Sequence, residues 1–253
     1  DIVVFGADTD ISPYDSGSYA SSTAYLTGTA VVKTCEALKE KILHKAAKYL
    51  ETGAEELEFD GKRVYKLACE ADGTRKEITI KDLANRVQCA NEDALQVTQS
   101  HSSPISPPPF MAGAAEVEVD LETGQVELIK FAAAVDCGTP LNENLARVQT
   151  EGGLVQGIGM ALYEDVSYSK NGKVHENSFM QYKVPSRLDV GRVQVEFESS
   201  FEPTGPFGAK SIGEVVINTP SPAIANAVYN AVGVRIRELP ITAEKVFKGM
   251  NGL

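Results

Sequence analysis

Ala115-Glu-Val-Glu-Val-Asp120-Leu-Glu-Thr-Gly-Gln-Val126-Glu-Leu-Ile-Lys-Phe131 is the stretch on which the fold turns. Small apolar and acidic residues alternate strictly over 115–120, so Ala115, Val117 and Val119 share one face of an extended chain. Glu122-Thr-Gly124 supplies a turn and residues 126–131 return, which together read as a β-hairpin. The period then changes. Asn144 to Leu162 reads as a helix, although Gly152, Gly153, Gly157 and Gly159 each cost it about 1 kcal/mol relative to Ala. Such a glycine load marks close approach either by a ligand or by a neighbouring backbone in tight packing. Strands are expected around Val174, at Tyr182–Val184 and at Val193–Phe197. A last helix starts at Ser221-Pro222, an N-cap and first-turn pair, and ends at Val232 before Gly233.

Upstream of the hairpin, Asp1-Ile-Val-Val-Phe-Gly6 reads as a strand entered in mid-fold, and residues 8–23 as a loop of small, polar, turn-forming residues. A helix is predicted from Thr29 to Leu50, with Val31, Cys35, Leu38, Ile42, Ala46 and Tyr49 at three- and four-residue steps. Glu51-Thr52-Gly53 gives it a stop, with Gly as the residue that tolerates a left-handed C-terminal conformation. Three short strands, 56–59, 63–67 and 77–80, are separated by turns at Asp60-Gly61 and Asp72-Gly73, and a short helix opens at Lys81-Asp82. Four prolines in 100–109 preclude a regular element and read as the connection between lobes. Strands and helices mixed in each lobe, without clean βαβ alternation, define an α+β fold of mixed sheets and packed helices, with lobes at 1–112 and 113–253.

The 253 residues carry a formal net charge of −11, which excludes a nucleic-acid partner because such binding begins with clustered Lys and Arg on phosphates. No apolar run approaches the roughly 20 residues that span a bilayer. No signal peptide is read at the start, and a cytoplasmic location is expected. The chain lacks an initiator Met and is read as a fragment or a processed product. Cys35, Cys69, Cys89 and Cys137 show neither zinc nor iron–sulfur spacing and are read as free, buried thiols. Three scattered histidines argue against a His-rich metal centre, so a metal must arrive bound to something else.

Three segments carry the chemistry. Gly17-Ser-Tyr-Ala-Ser-Ser-Thr23 places hydroxyls and backbone N–H groups ahead of a long helix, suited to an anion or an oxo group; alone it reads equally as a solvated loop. Val148-Gln-Thr-Glu-Gly-Gly153-Leu-Val-Gln-Gly-Ile-Gly159 puts a Gln amide into a glycine-rich stretch, and alone reads as packing. It lacks the spacing of a dinucleotide fingerprint. In Gly205-Pro-Phe-Gly-Ala-Lys-Ser-Ile-Gly-Glu214, one acid follows a glycine loop and precedes an apolar run. Partial desolvation there would raise its pKa towards that of a useful general base, and Lys210 would offset this if it reached the carboxylate. Composition alone reads Glu214 as a surface carboxylate.

Taken in order, these segments resemble the xanthine dehydrogenase/aldehyde oxidoreductase family of molybdenum hydroxylases across essentially the whole chain. Asp8-Thr-Asp10 with Tyr19-Ala-Ser-Ser-Thr23 and Gly28-Thr-Ala-Val31 is similar to the family's pterin-contacting loop and helix. The hairpin at 116–124 and Asp136-Cys-Gly138 with Leu141-Asn142 match a structural hairpin and its following turn. Gln149-Thr-Glu-Gly152 with Gln156-Gly157 resembles the second pterin-binding helix, and Gly208-Ala-Lys-Ser-Ile-Gly-Glu214 the catalytic segment.

The resemblance implies the C-terminal part of a molybdopterin-binding subunit, with Glu214 as catalytic base in the oxidation of a heterocycle (purine or nicotinate-like) or an aldehyde that takes its oxygen from water. It also implies Ala20, Ser21, Ser22, Gln149, Lys210 and Gly213 as cofactor-binding residues. Molybdenum would be held by the pterin, near Ala20 and Glu214, with no direct protein ligand; whether the pterin carries a cytosine dinucleotide is left open. Gly213 would let the chain turn so that Glu214 faces the metal. Family members often carry Arg in place of Ser22, so an ionic contact is absent there. The N-terminal half of the subunit, an iron–sulfur subunit and a flavin (FAD) subunit are the implied partners. A non-catalytic scaffold or assembly module, or a cofactor-free fragment of such a subunit, is the alternative.

Overall fold

The computed structural model describes residues 2–253, in two compact units. One comprises the residues up to Gly17 together with Leu26–Pro104; the other comprises Ser18–Tyr25 and Ile105–Leu253. The chain is thus divided at 104/105, and the short serine segment goes with the second unit.

In the first unit a long helix, α1 (Thr23–Leu50, whose first turn belongs to the second unit), packs with an antiparallel sheet of β1 (Leu57–Phe59), β2 (Arg63–Lys66) and β3 (Glu77–Thr79), and with α2 (Ile80–Cys89). α1 begins six residues earlier than its apolar periodicity predicts. Its stop is also different: Glu51, not Gly53, adopts the left-handed conformation (φ 54°), and the Thr52 N–H returns to the Ala47 carbonyl at 3.2 Å. Thr79 caps α2 by accepting from the Asp82 N–H. Ile42, Ala46, Val64, Ile78, Leu83 and Val87 close the core. At one edge of this unit Glu92 receives Lys45 (2.8 Å), Lys48 (2.5 Å) and the Tyr49 hydroxyl (3.0 Å), and these three hydrogen bonds, Lys45's foremost, hold its carboxyl down to about 2.

The second unit is built on a three-stranded sheet of β4 (Phe110–Val119), β5 (Val126–Asp136) and β6 (Arg192–Phe197). β4 and β5 form the expected hairpin, longer than the alternation indicates, because Ala112–Ala115 pairs with Phe131–Ala134. Small residues are needed here: a Cβ on Gly113 would lie 2.7 Å from the Thr219 hydroxyl and 2.8 Å from the Phe131 ring. The register steps from Glu116↔Lys130 to Val117↔Leu128, leaving Ile129 as a bulge. The buried set on β5 accordingly switches from Val126 and Leu128 to Phe131, Ala133 and Val135.

β6 lies parallel to β5, and α3 (Glu143–Leu162) lies in the connection between them, a single βαβ crossover within an α+β fold. Asn142 caps α3 through the Leu145 N–H at 3.0 Å. α4 (Pro220–Val232) starts after Thr219 and stops at left-handed Gly233. Most of the glycines of α3 are there for packing. A Cβ on Gly153 would meet Val216 at 2.2 Å, and one on Gly157 would meet Pro220 at 2.6 Å. Phe131, Val135, Leu154, Ile158, Ile224 and Val228 form the centre of the core.

Several sequence expectations are corrected. Residues 2–6 belong to no strand among the described residues, and Ile2–Phe5 are exposed, since an extended segment becomes a strand only by pairing; Asp1 lies outside the described residues. Tyr182–Val184 forms no strand, and Val174 makes only an isolated bridge with Tyr168. A further helix, α5 (Ala243–Asn251), follows the one expected to be last; Thr242 caps it, and it buries Val246 in the same core. The four cysteines are free, but only Cys137 is buried.

Candidate active site

The segment 205–214 is held to the end of β5 before it reaches Glu214. The Lys210 N–H donates to the Cys137 carbonyl at 2.8 Å, the Thr139 N–H to the Gly208 carbonyl at 2.8 Å, and Gly138 bridges Ala209. The Lys210 ammonium pairs with Asp136 at 2.7 Å, is only 8% exposed, and stands 5.3 Å over the Phe110 ring. Asp136 also accepts from the Ser200 hydroxyl (2.5 Å) and the Gly138 N–H (2.9 Å). Burial opposes its ionisation most strongly, yet these donors and the Lys210 charge together outweigh burial, and the carboxyl titrates below its ordinary value.

Beyond this anchor the chain reaches Gly213, where three expected residues meet. Gln149 of α3 donates its amide to the Gly213 carbonyl at 3.1 Å. A Cβ on Gly213 would lie 2.7 Å from the Ser21 hydroxyl and 3.9 Å from the Gln149 amide nitrogen. Gly213 is therefore required for close approach. It does not adopt a left-handed conformation, so the turn expected of it is made without one.

Ser21 arrives from a strained turn. Ala20 (φ 49°) and Ser21 (φ 57°) are successive non-glycine residues in the left-handed region, a cost tolerated where the surroundings fix the backbone. The surroundings here include Tyr25, buried four residues later, whose hydroxyl donates to Thr204 at 2.7 Å.

A cleft of about 350 Å³ opens beside this convergence. Val148, Gln149, Gly152 and Gln156 line it from α3, and Gly213 and Glu214 from the loop. Glu214 is exposed, so the expected desolvation of its carboxylate is not present in this chain, and Lys210 is committed to Asp136. Ala20 is exposed; Ser22 is buried and does not line the cleft. Lys210 likewise does not line the cleft. Gly152 and Gln156, which the resemblance puts on the pterin-binding helix without a role of their own, line the cleft beside Gln149. Their spacing from Gln149, three and seven residues along one helix, places all three on one face and was the available signal.

The lining fits a polar ring more than a bare metal or a phosphate. Two Gln side chains offer both donors and acceptors, and Gly152, with nothing within 4 Å of where its Cβ would stand, leaves open space on the helix face. Among the described residues no group of three His, Cys, Asp or Glu side chains is arranged to hold a metal ion.

The chain belongs to the molybdopterin cofactor-binding domain family, whose model matches residues 1–191. That match includes Ser21 and Gln149; Glu214 lies beyond it. More narrowly, the likeness is to molybdenum hydroxylases of the xanthine dehydrogenase type. The chain is 33% identical over 99% of its length to the probable hypoxanthine oxidase XdhD of Escherichia coli K12, spanning 26% of that protein. It is 30% identical over its whole length to the gamma subunit of the 6-hydroxypseudooxynicotine dehydrogenase complex of Paenarthrobacter nicotinovorans, spanning 32% of it. Its fold matches CO dehydrogenase from Oligotropha carboxidovorans with a TM-score of 0.81 and 27% identity, over 96% of this chain and 31% of that one. The chain thus spans between a quarter and a third of each of these three proteins.

Proposed function

We propose that this chain is the part of a molybdenum hydroxylase subunit that brings a catalytic base, Glu214, to the molybdopterin. The observation that supports this reading is the meeting of Ser21 with Gln149 and Gly213, two residues that line the same cleft as Glu214. When bound, the molybdenum cofactor supplies the redox centre for oxidising a heterocycle (purine or nicotinate-like) or an aldehyde with an oxygen atom from water. Gln149 and Ser21 would hold the pterin, with the exposed Ala20 backbone beside it; Gln156 adds a second amide. The Glu214 carboxylate accepts the proton released as the water oxygen becomes the nucleophile. The remainder of the subunit, closing over the cleft, excludes water and places Glu214 in the less polar surroundings that suit a base. Iron–sulfur and flavin subunits, in the cytoplasm, carry the electrons away. No helix of the described chain is long and apolar enough to cross a membrane.

The test is Glu214→Gln in the whole subunit with its partners. Turnover falls by about 10²–10⁴-fold, the range that a positioned general base contributes, while molybdenum content stays near that of the wild type. Undiminished turnover removes the assignment; a wild-type complex without molybdenum favours the scaffold alternative.

A further inference from the structure

The Asp136–Lys210 pair is an unusual expenditure of buried charge. Lys210 is 8% exposed and Asp136 21%, and a buried ion pair is close to neutral for stability when compared with apolar residues of similar volume. Its directionality is what apolar residues cannot supply. Asp136 is the last residue of β5, and its two oxygens collect Lys210, Ser200 and the Gly138 N–H, joining three separate segments. The Lys210 backbone is tied to the same place through Cys137, and Thr139 is tied to Gly208. Three residues beyond Lys210 is the Gly213 carbonyl that Gln149 holds, and four beyond is Glu214.

We infer that the Asp136–Lys210 pair is a positioning element that sets the register of residues 209–214 against the end of β5, and so sets where Glu214 stands in the cleft. This rests on the reading of Glu214 as the base. Two side-chain contacts fix the segment, the ion pair at Lys210 and the Gln149 amide at Gly213, in addition to the backbone bonds at Gly208 and Lys210. With the ion pair released, those backbone bonds remain, but the only side-chain contact left to the segment at Gly213 is an amide on an exposed helix face. Neither residue of the pair lines the cleft.

The test is amide hydrogen exchange on the full subunit assembled with its partners. Lys210→Met alone leaves Asp136 buried without its cation and endangers folding, so the informative variant is the Asp136→Asn/Lys210→Met double, which removes both charges. Exchange across 211–217 should accelerate about tenfold or more, with α3 and α4 unchanged and molybdenum retained. With whichever of hypoxanthine, nicotine or benzaldehyde the wild type oxidises, kcat should fall at least about tenfold with KM within about twofold, and Lys210→Arg should restore most of what Lys210→Met loses. Wild-type exchange across 211–217 overturns the inference. So does acceleration spread equally through α3 and α4, or failure of the double variant to assemble, since either assigns the pair to folding alone. The exchange readout does not depend on Glu214: if Glu214→Gln keeps its turnover while 211–217 loosens, the catalytic reading falls and the positioning role stands.

Discussion

Gln149 and Gly213, 64 residues apart, are joined by a single hydrogen bond of 3.1 Å from the Gln149 side chain to the Gly213 carbonyl. That bond ties the helix face lining the cleft to the loop bearing Glu214. Gln149→Leu removes the donor at an exposed position, so the fold should lose no more than about 1 kcal/mol. Turnover, however, should fall by an order of magnitude as the loop loses its second fixed point. Thermal melting alongside steady-state rates distinguishes the two; a loss of stability matching the loss of rate would argue against a local effect.

Gly213→Ala places a methyl group 2.7 Å from the Ser21 hydroxyl. A small-to-large change of this kind costs about 1–3 kcal/mol where the neighbours cannot move. Adding Ser21→Gly should recover most of that loss, because it removes the clashing side chain and also relieves the left-handed backbone at φ 57°. Denaturant midpoints of the two single variants and the double give the coupling directly; strict additivity would disprove the contact.

The glycines of α3 should separate into two kinds. Gly157→Ala meets Pro220 at 2.6 Å and the Ile217 carbonyl at 2.9 Å, and should destabilise by about 1–3 kcal/mol. Gly152→Ala meets nothing within 4 Å and should stabilise the chain by up to about 1 kcal/mol through helix propensity. In the assembled enzyme the same Gly152→Ala should lower molybdenum content, as the methyl group intrudes on the cleft. Unchanged metal content would place the cofactor away from this face.

Acid sensitivity of the first unit should depend on Glu92. Its carboxyl is lowered from 4.5 to about 2, so the folded state holds the ionised form more tightly than the unfolded chain does. The stabilisation is complete above the unfolded value of roughly 4.3, declines as pH falls, and is gone below about 2. The urea midpoint of Glu92→Gln should therefore lie below that of the wild type at pH 7, with the gap closing between pH 4.5 and 2. A gap independent of pH would contradict the assignment.

How much of this could be read in advance depended on the range of the interactions. The hairpin core over 115–131 was legible because alternation is local, but its extension through Ala112–Ala115 and Ala132–Ala134 was not. Ala and Gly are weak strand formers, and pairing makes them strands here, while the need for small side chains comes from Thr219 far along the chain. α5 was missed because Lys245, Lys248 and Glu244 obscure a stripe with one fully buried residue, Val246. Conversely, Tyr182–Val184 looked like a strand and had no partner. The residues that converge at Gly213 were named through the ordered resemblance. The pairing of Lys210 with Asp136 across 74 residues has no local signature in the sequence.

The bulge at Ile129 governs all of this through counting. One extra residue shifts β5 from burying its even-numbered positions to burying its odd ones, which turns Val135 to the helices and leaves Asp136 on the opposite side. Deleting a single residue from this part of the strand would reverse that parity, taking the carboxylate away from Lys210 without altering any side chain of the candidate active site. The domain should accordingly accept many substitutions along β5 yet be intolerant of a change in its length, a constraint written in arithmetic and felt at a glutamate 78 positions from Asp136.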